Sequence, residues 1–224
     1  MPLYQSPNMD APVLSLFSLK GKIAAITGGS RGIGFEVSKA LAEAGADVAI
    51  IYHSSTDADK TAASIAEATG VRVQAYQSDV RSRSRISGTM EQIAADFGRL
   101  DIVVANAGVC ANVAALDYDE ESWSHVNQVN YDGAMWTAQA AGRIFKRQGH
   151  GSLILTASVS SVLCNTPQMQ AGYNASKAAV AHLTRCLAVE WAEFARVNCV
   201  SPGYVNTKSK LSLTDREWDM LTCW

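Results

Sequence analysis

Short apolar runs alternate with helix-periodic segments along almost the whole chain, and that order leaves few folds open. Ile23–Thr27 is an apolar run ending against glycine, the pattern of a buried strand. Ile33, Val37 and Leu41 recur at i, i+4 and i+8, one face of a helix closed by Gly45. Val48–Tyr52 predicts a second strand, Thr61–Ala68 a helix with Gly70 as its stop, and the alternating Val71, Val73 and Ala75 a third strand. The pattern then repeats. Ile86–Phe97 reads as helix, Ile102–Ala105 as strand, Asp119–Phe145 as one long helical segment and Gly151–Ala157 as strand. Tyr173–Phe194 follows as helix, and Val197–Val200 as a sixth strand stopped by Pro202-Gly203. Strands alternating with helices predict an α/β chain with a doubly wound parallel sheet covered on both faces. A chain of 224 residues holds one such domain. Residues 1–20 read as a loose N-terminal arm and 21–224 as the domain. Such a sheet binds ligands beyond the carboxyl ends of its strands, where the strand order reverses. The turns after the first, fourth and fifth strands are therefore the places to look for chemistry.

Composition narrows the partners. Apolar residues make up 48% and charged residues 18%, an ordinary globular balance. The formal net charge is -2 and no Lys/Arg cluster stands out, so neither nucleic acid nor an anionic membrane is expected as a partner. The short run of arginines from Arg81 to Arg85 reads as a solvated helix entrance. Five cysteines, an odd number with no C-x-x-C pair, argue against a disulfide framework or zinc knuckle and for ordinary thiols in a reducing compartment. His53, His125, His150 and His182 show no metal-ligand spacing, so no metal site is expected. The first residues lack the basic start and apolar run of a signal peptide, and no stretch approaches about 18 apolar residues. The expectation is a cytoplasmic protein.

Thr27-Gly28-Gly29-Ser30-Arg31-Gly32-Ile33-Gly34 lies between the first strand and the first helix. Glycines admit backbone conformations closed to other residues and let a bulky ligand approach. A helix start offers unpaired N–H groups and a positive dipole end, which suit a pyrophosphate. The spacing is G-x-x-x-G-x-G, with Gly28, Gly32 and Gly34 as its glycines. No acid ends the second strand; His53, Ser54 and Ser55 stand there instead. A carboxylate at that place grips a ribose 2′-hydroxyl and would repel a 2′-phosphate. His53 and Ser54 can donate to such a phosphate, and Arg31 adds positive charge, so NADP(H) is favoured over NAD(H). An aspartate at position 53 would turn that preference round.

Tyr173-Asn174-Ala175-Ser176-Lys177 carries the second signal. Residues four apart stack on one helix face. A phenol has a pKa near 10, and a neighbouring ammonium favours the phenolate and lowers that value, so Tyr173 and Lys177 form a credible acid/base unit. Alone the spacing is weak. Its context is Ser158 at the end of the fifth strand, on the rim that holds the phosphate turn, and Asn130 in the preceding long helical segment.

Together these segments resemble the short-chain dehydrogenase/reductase family from about Leu19 to Thr207. The motifs are Thr27-Gly28-x-x-x-Gly32-x-Gly34, Ser78-Asp79-Val80, Asn106-Ala107-Gly108, Val129-Asn130-Tyr131-Asp132-Gly133, the Tyr173–Lys177 segment and Pro202-Gly203-Tyr204-Val205-Asn206-Thr207. Ala105 stands where the family has the first Asn of N-N-A-G. The resemblance implies a Rossmann-type fold and a catalytic tetrad of Asn130, Ser158, Tyr173 and Lys177. It further implies cofactor contacts from Gly28, Ser30, Arg31, Gly32, Ile33, Gly34, His53, Ser54, Asp79, Val80, Asn106, Ala107 and Gly108. Asn130, Tyr173, Lys177, Pro202, Gly203, Val205 and Thr207 complete that set. Asp79 meets the adenine ring and Thr207 the nicotinamide amide. By that resemblance Ser158 would bind the carbonyl oxygen, Tyr173 donate the proton, Lys177 hold the ribose, and Asn130 support a water that relays protons.

Leu16–Lys22, Ile50–Tyr52 and Trp191–Asn198 look most like the branch containing sorbose and xylulose reductases and mannitol 2-dehydrogenases. The implied substrate is a ketone/alcohol pair, a ketose or polyol, with Asn165, Gln168 and Gln170 as candidate partners of its hydroxyls. A ketoreductase of a secondary-metabolite pathway is the alternative within the class; a non-catalytic NADP-binding homologue or a ligand-free remnant lies outside it. Beyond Thr207 the family continues through a covering segment, a helix and a seventh strand with an Asp-Gly-Gly turn, whereas this sequence ends at Leu221-Thr222-Cys223-Trp224. The expectation is a sheet without that last strand, with Val197–Val200 a bare edge, low stability and weak turnover. A homodimer through the helices holding Asn130 and Tyr173, rather than a tetramer, goes with it.

Overall fold

The computed structural model of the protein describes residues 10–207. Six parallel strands form one sheet: β1 (Ile23–Thr27), β2 (Asp47–Tyr52), β3 (Val73–Gln77), β4 (Ile102–Ala105), β5 (Ser152–Thr156) and β6 (Arg196–Val200). Their order across the sheet is β3-β2-β1-β4-β5-β6. The order reverses between β1 and β4, so a crevice opens above their carboxyl ends. The helices are α1 (Gly32–Glu43), α2 (Ala58–Thr69), α3 (Arg83–Phe97), α4 (Glu120–Asn127), α5 (Gly133–Gln148) and α6 (Ala171–Glu190).

The double winding is written in β1. Ile23 and Ala25 point into a core shared with Ile86, Met90, Phe145, Val180 and Leu187 of α3, α5 and α6. Ala24 and Ile26 point the other way, onto Ala42, Ala62 and Ile65 of α1 and α2. Period-two alternation thus feeds two cores, which is why the strand is apolar from Ile23 to Ile26. Gly70 and Gly98 close α2 and α3 in the left-handed conformation that glycine adopts without strain.

Three sequence expectations change in detail. The arm is not loose throughout: Val13–Phe17 makes a short 3₁₀ turn, and Leu19 N–H docks on the Ala44 carbonyl at 2.7 Å. The third strand runs later than the Val71–Ala75 alternation suggests, because pairing with β2 sets its span, from Val73 beside Val48 to Gln77 beside Tyr52. The long helical segment is α4 and α5 joined by a single π turn over Gln128–Asp132. Gly133 then lets α5 press onto Val80, where a Cβ would lie 2.7 Å from the valine methyl. Among the described residues β6 is a sheet edge. Leu221–Trp224 and the start of the covering segment lie outside the described residues, as do residues 1–9. Among the described residues no helix is long and apolar enough to cross a membrane.

At the opposite end of the sheet from the crevice, Asp101 ties three strand starts together. Its carboxylate accepts from Ile23 N–H at 3.0 Å, pairs with Arg99, and lies 3.2 Å from His150 Nε2 and 3.6 Å from Lys22 Nζ. Burial pushes this carboxyl up, but the Arg99 guanidinium, the Ile23 N–H and Lys22 outweigh that and hold it below its usual value. Its contribution is therefore present above an unfolded pKa near 3.9 and lost as pH falls through the lower folded value. Asp101→Asn should cost about 1–3 kcal/mol at neutral pH, discounted because Arg99 and Lys22 are half exposed. Urea unfolding should show that gap closing as pH falls below about 4. A gap that persists undiminished at acid pH would contradict the assignment.

Candidate active site

The turn after β1 is shaped by glycine contacts. Gly28 and Gly32 have φ of 67° and 55°, a region that other residues enter only with strain. Gly34, in the first turn of α1, lies under Gly28: a Cβ there would sit 2.2 Å from the Gly28 carbonyl oxygen and 2.6 Å from Asn106 Nδ2. Arg31 occupies the N-cap position of α1 and makes no side-chain cap hydrogen bond, so the first helical N–H groups keep their donors. A Cβ on Gly32 would meet nothing within 4 Å, which leaves open space over those donors. This cradle fits a dinucleotide pyrophosphate, with Ser30, Arg31, Gly32 and Ile33 around it.

Thr27 binds the cradle to the next turn. Its hydroxyl accepts from the N–H groups of Asn106 and Ala107, each at 3.0 Å, and its carbonyl accepts from Asn106 Nδ2 at 3.1 Å. Position 105, where the family's first Asn is replaced by alanine, is buried in the core.

The adenosine end differs from expectation in its partners. His53 and Ser54 are exposed after β2. Asp79 is gripped by the Arg81 guanidinium through contacts of 3.0, 3.1 and 2.7 Å, and His53 Nε2 lies 3.7 Å from it. The Arg81 guanidinium, then its N–H and charge, hold the Asp79 carboxyl down at about 2. Arg81 is thus no idle surface charge: it neutralises the Asp79 carboxylate beside His53. Arg83 is also engaged, donating to Gln139 at 2.7 Å over the Trp136 ring. Val80 contributes its side chain to the core. Sequence reasoning missed Arg81 because its partner is set by the turn that follows β3.

The four residues expected to form the tetrad lie at the end of β5, in the first half of α6 and in the π turn. Lys177 is buried, and its ammonium donates to the Thr156 carbonyl at 2.7 Å. Burial pushes Lys177 down to about 8. Its Nζ lies 5.8 Å from the centre of the Tyr173 ring. The Ser158 side chain lies near enough to the Tyr173 phenol to pull its pKa down. Ser158 is itself fixed, accepting from Ser160 N–H at 3.1 Å as the cap of the short Val159–Ser161 turn. Contrary to expectation, the Tyr173 pKa is raised rather than lowered. Burial pushes it up, the Ser158 hydrogen bond pulls it down, and the nearby Cys110 thiol pushes it up again. Desolvation wins because the Lys177 ammonium is turned to Thr156 rather than to the phenol. Burial thus favours the neutral phenol.

Asn130 sits in the π turn, and its amide is held on both sides. Its Oδ1 accepts from Val109 N–H at 2.8 Å and its Nδ2 donates to the Val109 carbonyl at 2.9 Å. Gly108 faces both groups: a Cβ there would lie 3.3 Å from Asn130 Oδ1 and 3.4 Å from Lys177 Nζ. Pro202, Gly203, Val205 and Thr207 follow β6 as an irregular stretch, anchored by Val159 N–H on the Pro202 carbonyl at 3.0 Å.

The rim on the far side of Tyr173 is polar. Tyr204 donates to Gln168 at 2.6 Å, Gln170 donates to Asn112 at 2.6 Å, and Asn165 donates to Ser160 at 2.9 Å. The amides expected to meet substrate hydroxyls are thus paired within the protein. Cys110 and Asn112 belong to the same rim and were not singled out in the sequence, where nothing marks them apart from the loop they occupy; Tyr204 stands in the Pro202–Thr207 motif but was given no role there.

The model of the short chain dehydrogenase family matches residues 22–218. Sorbose reductase of Schizosaccharomyces pombe is 50% identical over 195 residues, covering 86% of this chain and 76% of its own. A probable NADP-dependent mannitol dehydrogenase of Yarrowia lipolytica is 48% identical over 204 residues, covering 90% and 73%. The crystal structure of NADPH-dependent 3-quinuclidinone reductase from Rhodotorula rubra superposes with a TM-score of 0.89 at 41% identity, covering 97% of this chain and 82% of that one. The chain belongs to the short-chain dehydrogenase/reductase family. It is an oxidoreductase, and its relatives are those of the branch expected from the sequence.

Proposed function

We propose that this chain is an NADP(H)-dependent oxidoreductase that interconverts a ketone and a secondary alcohol, with a ketose/polyol pair as its substrate class. The observation that carries the reading is the placing of Tyr173 beside a buried Lys177, whose Nζ lies 5.8 Å from the ring centre, on the rim that also holds the glycine cradle. NADP(H) suits the adenosine end, where Arg81 cancels Asp79 and leaves Arg31, His53 and Ser54 to meet a 2′-phosphate. When bound, the reduced nicotinamide supplies a hydride to the ketone carbon. The protein's own groups then handle the oxygen. Ser158 offers its hydroxyl to the carbonyl oxygen. Tyr173, a neutral phenol, passes its proton to that oxygen as charge develops. Lys177 keeps much of its charge at neutral pH, stabilises the phenolate left behind and holds the nicotinamide ribose. Asn130 braces the turn at Gly108 and Val109 beside the Lys177 ammonium. Oxidation of the alcohol reverses each step.

A ketose or polyol fits the polar rim of Asn112, Gln168, Gln170 and Tyr204, whose paired groups can exchange partners with substrate hydroxyls. The names of the two curated relatives support the same class. The odd, scattered cysteine set suits the reducing cytoplasm. Exposed Trp123, Tyr131 and Val189 on the helices around Asn130 and Tyr173 support a homodimer through that face, which light scattering at the dimer mass would check.

Tyr173→Phe keeps the ring and removes the proton. It should lower kcat for NADPH oxidation by a ketose at least about 100-fold while leaving NADPH affinity by fluorescence within about twofold. Turnover near the unmodified rate would refute the assigned role.

A further inference from the structure

Ser176, between the tetrad's tyrosine and lysine on α6, is buried to 1% exposure. Its hydroxyl has two partners. It donates to the Tyr173 carbonyl at 2.7 Å, one helical turn back. It also accepts from Asn130 Nδ2 at 3.0 Å, across 46 residues of sequence. A serine inside a helix commonly bonds back to its own turn, so the first contact alone says little. The second is a tertiary contact and completes a set. One Asn130 Nδ2 proton goes to the Val109 carbonyl and the other to Ser176, while Oδ1 takes the Val109 N–H. The amide is thereby fixed in one orientation, and no other described side chain replaces Ser176 in that set.

We propose that Ser176 is a positioning residue: it locks the Asn130 amide, and through it the turn at Gly108 and Val109, to the helix that carries Tyr173. This rests on the reading of Asn130 and Tyr173 as active-site groups. Without the hydroxyl, a buried N–H of Asn130 loses its acceptor, and the amide must shift or leave a donor unpaired. Either outcome loosens the Val109 clamp. The turn so loosened faces Lys177 Nζ at Gly108. Ser176 therefore acts on turnover through its neighbours, touching neither substrate nor cofactor.

The test uses Ser176→Ala and Ser176→Cys in the full chain, alongside Asn130→Ala and the Asn130→Ala/Ser176→Ala pair. Cysteine keeps the volume but bonds weakly, so packing and hydrogen bonding separate. Amide exchange followed by NMR should show Val109 N–H exchanging at least about tenfold faster in Ser176→Ala, with core strand amides unchanged. In NADPH oxidation, Ser176→Ala should lose about fivefold or more in kcat with KM for ketose and NADPH affinity within about twofold. Ser176→Cys should resemble it. The double variant should be no slower than Asn130→Ala alone, because both changes cut one linkage. Unchanged Val109 exchange, or kcat losses that multiply in the double variant, would overturn the proposal. An unmodified protein that consumes no NADPH counts against the proposed function instead, and the Val109 exchange then decides the case for Ser176.

Discussion

The structure turns on the contact between Gly34 and Gly28. With 2.2 Å between a notional Cβ and a carbonyl oxygen, only hydrogen fits at Gly34. That contact seats α1 directly on the end of β1, so the helix N-terminus opens at the switch between β1 and β4. The same close approach reaches Asn106, which Thr27 holds in turn. Two strand ends and one helix start are thereby fixed as a single unit. A ligand arriving there meets oriented donors and need not order them, which is where affinity for a pyrophosphate comes from.

The second constraint is the burial of Lys177. An ammonium removed from water needs a partner, and the Thr156 carbonyl supplies it. Burial then works on both members of the helical pair in opposite chemical senses. It weakens the lysine's hold on its proton and strengthens the tyrosine's. Both shifts favour the neutral form of the group, so the pair is held with less charge than either side chain would carry in water. The crevice is thus organised in two halves: a rigid glycine-built half for the cofactor and a desolvated half for proton transfer, joined through Asn106 and the turn that Asn130 clamps.

Much of this was legible in the sequence. Strand runs such as Ile23–Thr27 and Ile102–Ala105 keep their predicted bounds because two-sided burial demands unbroken apolar residues. Gly70 marks a helix end because a left-handed cap favours glycine. The motif positions of the tetrad follow from chain order, and the fold brings those residues together. What the sequence withheld depends on tertiary contacts. The π turn at Asn130 interrupts a segment whose apolar periodicity looks continuous. The raised Tyr173 pKa reflects desolvation by neighbours, which spacing on one helix does not reveal. Arg81 reads as solvated until the turn after β3 folds it back onto Asp79. Gln168 and Gln170 likewise find Tyr204 and Asn112 only when distant loops meet.

If the glycine contact builds the cofactor half of the crevice, adding one methyl group to it should be enough to spoil binding. The direct measurement is NADPH affinity, by fluorescence titration, of the unmodified protein and Gly34→Ala. The added Cβ must push α1 off Gly28, and affinity should fall at least about tenfold, some 1.4 kcal/mol. An unchanged dissociation constant in a folded Gly34→Ala protein would contradict the account.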